Sequence, residues 1–259
     1  MFPVLGNIMK VGVFVPCCVD QFAAESGIRM VHLLEGIENV ELFIPAEMTC
    51  CGMALYNQGD RDGAKQLGEQ MITLFGDCTH IVGLGSGCVS YIKTHFGNLF
   101  HNTTLHNDYR QFADRCYDLS DFLVNVIHYK PSATFAHKVA FMDHCGTLRD
   151  YVCTAHPERR GLHDEPRQLL QAVKGLQLVE TAEQDVCCGF GGQFANHYTP
   201  IAHSLGRRKI ENAIAAGAEF IVSTEMSCLL HLRSVIDEGH YAIRCLHLVD
   251  VLCGEPSKQ

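Results

Sequence analysis

Short apolar runs alternate along this chain of 259 residues with longer segments of helical periodicity. Runs rich in β-branched and aromatic residues, bounded by glycine, proline or polar residues, are typical of strands buried in a parallel sheet. Six such runs stand out, at residues 11–15, 40–44, 80–84, 139–142, 176–179 and 219–223. Helices are predicted over residues 60–75 and 200–216, the second starting at a proline that suits a first helical turn. Strands that alternate with helices in this way predict an α/β fold.

The pattern occurs twice. Each copy runs strand, helix, strand, helix, strand, and the third strand leads into a turn that contains one cysteine. The copies also end alike, because residues 115–123 and 244–252 are identical at five of nine positions. The sequence therefore predicts two similar Rossmann-like parallel-sheet lobes, residues 9–129 and 130–254, related by an internal pseudo-two-fold repeat.

Cysteine is the outlier of the composition, with 14 residues. Eight cysteines occupy matched positions in the two copies: one after the first strand, two in a Cys-Cys-Gly after the second, and one after the third. They are Cys17, Cys50, Cys51 and Cys88 in the first copy, and Cys145, Cys187, Cys188 and Cys228 in the second. Because loops after the carboxyl ends of parallel strands gather at one edge of a sheet, we expect each set of four thiols to converge.

Four thiolates are the usual complement of a [4Fe–4S] cluster. Zinc is the alternative cofactor, but zinc thiolates usually come from Cys-x₂-Cys knuckles rather than from adjacent cysteines. Two further interpretations stay open: cysteines buried simply as small apolar residues, and a thiol–disulfide enzyme that acts through the adjacent pair. The recurrence of Cys-Cys-Gly at matched positions favours an iron–sulfur site in each lobe.

The remaining cysteines give weaker evidence of a function. Cys18 adjoins Cys17 and is a candidate substitute ligand. The others are interpreted as core or surface thiols: Cys78, Cys116, Cys153, Cys245 and Cys253.

Charge and hydropathy exclude several classes of function. The net charge is −9 and no basic run occurs, which argues against nucleic acid as a partner. No apolar stretch is long enough for a membrane-spanning helix. The first ten residues do not resemble a signal peptide, so we expect a cytoplasmic protein. The glycine-rich segment 189–193 lacks the spacing of a nucleotide fingerprint.

The doubled motif resembles the cysteine-rich CCG domain family, whose members include the cysteine-rich subunit of heterodisulfide reductase and the iron–sulfur subunit of glycolate oxidase. The resemblance extends from about Met9 to Leu252. The motifs that carry it are Phe14-Val15-Pro16-Cys17, Cys50-Cys51-Gly52, Gly85-Ser86-Gly87-Cys88, His144-Cys145, Cys187-Cys188-Gly189-Phe190-Gly191-Gly192 and Ser227-Cys228-Leu229-Leu230-His231.

This resemblance implies an iron–sulfur electron-transfer subunit, with the eight matched cysteines as ligands. It implies oxidation of L-lactate to pyruvate, or of a related 2-hydroxy acid, together with the other subunits of a three-protein complex. Contact with a membrane would then be peripheral, through that complex. A zinc-stabilised structural or assembly protein without redox activity is the alternative.

The chain departs from the heterodisulfide reductase pattern at two positions. That reductase ends each motif in Cys-x-x-Cys and holds its clusters on five thiols, whereas this chain has Gly85 and Glu225 at the places of the extra cysteine. The five-thiol cluster and its disulfide-cleaving chemistry are therefore not expected here.

Overall fold

A computed structural model of the chain describes residues 8–152 and 164–254, with side chains for all of these except residues 150–152. The chain divides into two compact units, one ending at Leu119 and the other starting at Ser120. Each unit contains one four-stranded sheet in which every neighbouring pair of strands is parallel. The predicted α/β class with two similar lobes is thus confirmed.

The sheet of the first lobe has the strand order β2-β1-β3-β4. Its strands are β1 (Met9–Phe14), β2 (Val40–Phe43), β3 (His80–Gly83) and β4 (Cys116–Asp118). Its helices are α1 (Cys17–Phe22), α2 (Ala24–Glu35), α3 (Met53–Asn57), α4 (Arg61–Leu74), α5 (Ser86–Phe100) and α6 (His106–Asp114). A short helix α7 (Leu119–Asp121) and a π-helical turn (Phe122–Val126) follow β4.

Apolar packing around α5 forms the core of the first lobe. Strand β1 buries the consecutive side chains of Val13 and Phe14, which point to opposite faces, as expected for a central strand covered on both faces. Helix α5 packs on β3 and β4 and adds an aromatic cluster. The ring of Phe96 lies 5.4 Å from that of Phe100 and 6.1 Å from that of Phe112. These rings fill the space between the helices and the sheet.

The second lobe repeats this topology with the strand order β6-β5-β7-β8. Its strands are β5 (Lys138–Phe141), β6 (Gln177–Val179), β7 (Phe220–Ser223) and β8 (Arg244–His247). A π-helical turn covers Thr147–Val152, and the helices are α8 (Asp164–Ala172), α9 (Gln193–His197), α10 (Thr199–Ala215), α11 (Met226–Gly239) and α12 (Leu248–Leu252).

The fourth strand of each lobe is not predicted by the sequence. The six apolar runs that predict strands all contain strands, but β4 and β8 lie within the repeated endings at residues 115–123 and 244–252, where no strand is predicted. Both are short, and their thiols, Cys116 and Cys245, point into the core. Neither strand has the run of β-branched or aromatic residues that predicts the other six, since β4 has the sequence Cys-Tyr-Asp and β8 the sequence Arg-Cys-Leu-His.

Polar caps fix the ends of helices near the sheet edges. Asp60 accepts a hydrogen bond from the Gly63 N–H (2.9 Å) at the start of α4. At the start of α12, His247 Nδ1 accepts from the Val249 N–H (3.3 Å), and Asp250 accepts from the His247 N–H (3.1 Å). Such caps satisfy backbone donors that have no partner inside the helix.

Among the helices that the structure describes, none combines the length and the apolar content needed to span a bilayer.

Truncating Phe96 tests the packing of the first lobe. Its side chain is fully buried, so Phe96→Ala is expected to lower the free energy of unfolding by about 3–5 kcal/mol through lost burial and a residual cavity. Phe22→Ala is the control, since Phe22 is 66% exposed and should change stability by no more than about 0.5 kcal/mol. Urea denaturation measures both, and equal midpoints would contradict the assignment of Phe96 to the core.

Protonation of His247 should contribute to acid lability. Burial lowers the pKa of His247 below its ordinary value of 6.5, while Asp250 and Glu225 favour its charged form and Arg233 opposes it. As the pH falls through about 6.5, the unfolded chain binds the proton before the folded protein does, so stability is lost from there downward. In His247→Asn the cap acceptor remains but the proton site is gone. We expect this variant to lose less stability between about pH 7.5 and 5; parallel pH profiles would refute the assignment.

Candidate functional site

Strand order places the predicted thiols of the first lobe at one edge of its sheet. From β1 the chain crosses to β2 on one side and later returns to β3 on the other side, so the direction of winding reverses between β1 and β3. Ligands of open α/β sheets bind at such a switch point, outside the carboxyl ends of the strands. Cys17 begins α1 just after β1, and Cys88 lies in the first turn of α5 just after β3. The Cys50-Cys51 pair follows β2.

The four thiols of the first lobe form a continuous chain of contacts. The Sγ atoms of Cys17 and Cys50 lie 3.8 Å apart. Cys51 hydrogen-bonds both Cys50 and Cys88. Cys51 and Cys88 are buried, whereas Cys50 is half-buried and Cys17 is exposed. The site therefore opens to solvent on the Cys17 side. Cys18 hydrogen-bonds Cys17 and so lies beside this opening.

The second lobe repeats this arrangement. Cys145 donates to Cys187 with an Sγ–Sγ distance of 3.6 Å, and Cys188 hydrogen-bonds both Cys187 and Cys228. Cys188 and Cys228 are buried, and the other two are half-buried. Cys228 lies in the first turn of α11, as Cys88 does in α5. The structure thus brings together all eight thiols that the sequence singled out, in two sets of four; their role as ligands stays a prediction.

In each set, hydrogen bonds from neighbouring groups lower the pKa of one cysteine. Hydrogen bonds from Cys17 and Cys51, and then from the Gly52 N–H (3.5 Å), lower the pKa of Cys50. Cys17 and Cys51 donate to that sulfur, so their own pKa values are raised. An anionic sulfur supported by neutral neighbours is the state from which a thiol binds a soft metal.

The same electrostatics recur in the second lobe. Hydrogen bonds from Cys145 and Cys188 lower the pKa of Cys187, and the Gly189 N–H adds a further donor at 3.4 Å. The pKa values of Cys145 and Cys188 are raised by the same hydrogen bonds. Because metal ligands must be deprotonated, this donor set fits a group that is bound by thiolates.

Two glycines let the Cys-Cys loops lie against the following helix. Gly52 has φ +87° and Gly189 has φ +96°, in the left-handed region that favours glycine. A Cβ on Gly52 would lie 3.0 Å from the Ala64 carbonyl oxygen, and one on Gly189 would lie only 2.3 Å from that of Ala202. Close approach of backbone to backbone therefore positions both thiol pairs.

In the part of the chain that the structure describes, no three His, Cys, Asp or Glu side chains are grouped so as to hold a single metal ion. The thiols instead make successive pairwise contacts.

The remaining cysteines are separate from the two thiol sets. Cys78, Cys116 and Cys245 are buried and Cys253 is exposed, in line with their interpretation as core or surface thiols. Cys153 lies outside the described residues.

One residue near the second set was missed by the sequence analysis. Lys209 is buried, at 6% exposure, in α10. A signal was present, because Gly206, Lys209, Ile210 and Ala213 have the three- and four-residue spacing of one buried helix face. A lysine on such a face indicates a specific environment.

Two similar α/β lobes, each with a four-thiol edge built around Cys-Cys-Gly, define a class of doubled cysteine-rich proteins. The chain belongs to the cysteine-rich domain family named CCG, whose model matches residues 11–93 and 139–233. The two matched segments contain all eight of the predicted site cysteines.

Curated relatives match over almost the whole chain. Lactate utilization protein A 2 of Bacillus cereus (strain Q1) is 31% identical over 252 residues, which cover 96% of this chain and 100% of the relative. Lactate utilization protein A of Geobacillus kaustophilus (strain HTA426) is 32% identical over 246 residues, 94% of this chain and 98% of the relative. Both alignments therefore extend well beyond the cysteine motifs.

Among solved structures, an aspartate racemase homologue from Pyrococcus horikoshii OT3 aligns over 93% of this chain and 94% of its own, with 13% identity and a TM-score of 0.33. A TM-score of that size carries no argument about fold or function.

Substituting glycine at the second site should separate steric contact from backbone strain. Gly189→Ala adds a Cβ that meets a backbone oxygen at 2.3 Å. Gly217→Ala is the matched control, since Gly217 has φ +76° but a Cβ there meets no described atom within 4 Å. We expect Gly217→Ala to cost about 1–2 kcal/mol for the left-handed backbone, and Gly189→Ala distinctly more. Chemical denaturation measures both losses; equal losses would mean that the loop does not depend on this contact.

Proposed function

We propose that this chain is an iron–sulfur electron-transfer subunit of a multi-protein complex that oxidises L-lactate to pyruvate, or a related 2-hydroxy acid. In this proposal each lobe holds one cluster, of the [4Fe–4S] type, at its carboxyl-edge thiols. The ligands are Cys17, Cys50, Cys51 and Cys88 in the first lobe, and Cys145, Cys187, Cys188 and Cys228 in the second. The partners are the other proteins of a three-protein complex, which works in the cytoplasm and meets a membrane only through its partners.

The observation that carries the proposal is the repetition of the same four-thiol chain at the same edge of two sheets. Cysteines that pack only as small apolar residues would not be expected to hydrogen-bond one another in the same order in both lobes. Thiolate ligands and backbone N–H donors are what an iron–sulfur site requires. The curated names of the relatives support lactate as the substrate of the system to which the chain belongs.

The thiolates, the glycine N–H groups and a partner protein have different roles in this proposal. When bound, an iron–sulfur cluster supplies one-electron transfer. The eight thiolates hold the clusters, and the N–H groups of Gly52 and Gly189 donate to the sulfurs of Cys50 and Cys187. Oxidation of a 2-hydroxy acid releases two electrons and two protons, so two one-electron sites together match the electron count. Removal of those electrons from the substrate is assigned to a partner protein.

A zinc-stabilised structural or assembly protein is the second candidate. The Sγ–Sγ distances of 3.8 Å and 3.6 Å match the edge of a zinc tetrahedron, which is about 3.8 Å for Zn–S bonds of about 2.3 Å. Hydrogen-bonded thiols have the same separation, so the metal itself has to be identified.

Metal analysis of protein purified without oxygen decides between the two candidates. Iron and acid-labile sulfide in both lobes, broad visible absorption and an EPR signal after reduction are expected for the electron-transfer subunit. Colourless protein with stoichiometric zinc would refute it and would support the structural role. Colourless protein without metal, from cells grown with ample iron, would refute both.

Replacing one thiol of each set tests the division into two sites. Because a hydroxyl is a far poorer ligand for iron than a thiolate, Cys51→Ser and Cys188→Ser are each expected to lower bound iron by about half. Cys253→Ser is the control, since Cys253 is exposed and lies outside both sets; it should keep full iron. Loss of all iron in either single variant would contradict two independent sites.

A further inference from the structure

A buried lysine distinguishes the second lobe. The Lys209 ammonium donates to the carbonyl oxygens of Glu183 and Gln184, each at 2.8 Å. These carbonyls belong to the segment that leads into Cys187-Cys188. Removing an ammonium from water is unfavourable, and burial accordingly lowers the pKa of Lys209. Two carbonyl dipoles hold the charge in place without neutralising it.

The first lobe has an apolar residue at the equivalent position. The two lobes can be matched through their glycines, because Gly52 approaches the backbone of Ala64 and Gly189 approaches that of Ala202. Seven residues beyond each alanine, on the same buried helix face, lie Met71 and Lys209. Met71 is fully buried. The two lobes therefore differ at this position in charge and are otherwise built on the same backbone plan.

The Lys209 ammonium lies beside the segment that carries the second thiol pair. Its two acceptors come four and three residues before Cys187, and a Cβ on Gly206, which precedes Lys209 by one helical turn, would lie 3.4 Å from the Cys188 carbonyl oxygen. The ammonium interacts electrostatically first with the carboxylates of Asp143 and Asp185, and then with Cys188 and Cys187. Asp143 is already neutralised, since its carboxylate accepts two hydrogen bonds from Arg167, at 3.1 Å and 2.5 Å. Arg149 also acts on Cys145 and Cys187, but it is exposed and therefore screened by solvent.

A purely structural role would not require a charge. A neutral donor could bind the two loop carbonyls without the desolvation of an ammonium. A buried positive charge near a cluster instead stabilises the reduced form, which carries one more negative charge. The charge thus has a consequence that hydrogen bonding alone does not supply.

We propose that the buried positive charge of Lys209 raises the reduction potential of the second iron–sulfur site. The comparison is with the potential that the same site would have if this position carried methionine, as in the first lobe. The inference rests on the proposed function, because it requires a cluster in the second lobe.

The experiment isolates the second site by placing Lys209→Met in the Cys51→Ser protein and measuring its midpoint potential by EPR at fixed solution potentials. We expect the midpoint to become more negative by at least 59 mV, which is a tenfold change in the one-electron equilibrium constant. Lys209→Arg keeps the charge and should stay close to the parent. A residue that only braces the loop would move the iron content and stability but not the potential.

The matched control places Lys209→Met in the Cys188→Ser protein, which reports on the first site. Its midpoint should stay unchanged. An unchanged second-site midpoint at full iron content, equal shifts at both sites, or loss of second-site iron in Lys209→Met would each overturn the inference. Failure of the proposed function is separately visible, because the parent protein would then contain no iron and sulfide before any potential is measured.

Discussion

Parallel pairing of the two central strands in each lobe is the constraint on which both thiol sets depend. Phe14 pairs with Gly83 in the first sheet, and Phe141 pairs with Val222 in the second. Each pair lies at the carboxyl end of its strands, immediately before the segments that carry the cysteines. A slip of one residue would move the later cysteine by about 3.3 Å and turn neighbouring side chains to the opposite face. Backbone register therefore sets the distances between sulfurs before any side chain contributes.

Most of the fold and both thiol sets can be predicted from the sequence, and the features that cannot be predicted have physical explanations. Central strands are covered on both faces, so their apolar runs are conspicuous, and the repeat makes the matched cysteines stand out. The edge strands β4 and β8 lack such an apolar run, because each includes a charged residue. Lys209 is a single residue on an otherwise apolar helix face, and its meaning depends on the loop carbonyls that it meets in space. Hydrogen bonding between the thiols likewise needs the tertiary structure.

The two lobes keep the same scaffold but surround their thiols differently. Three residues after the last cysteine of each set, the first lobe has the buried Tyr91 and the second has the buried His231. Three residues before it, the first has Gly85 and the second has a buried Glu225, which caps the Ser227 N–H. The two lobes thus share the strand ends and the glycines that position the thiols. They differ in the side chains that surround those thiols.

All four thiols of a set lie within one lobe, but they come from segments far apart in the chain: the contacting pairs Cys17–Cys50 and Cys145–Cys187 are separated by 33 and 42 residues. Pairing of the strands is therefore what brings these distant thiols to one edge of the sheet. Chains fold from the amino terminus as they are synthesised, and Cys88 is translated well before β5 begins at Lys138. The four cysteines of the first thiol set are consequently all present in the growing chain before the second lobe is made.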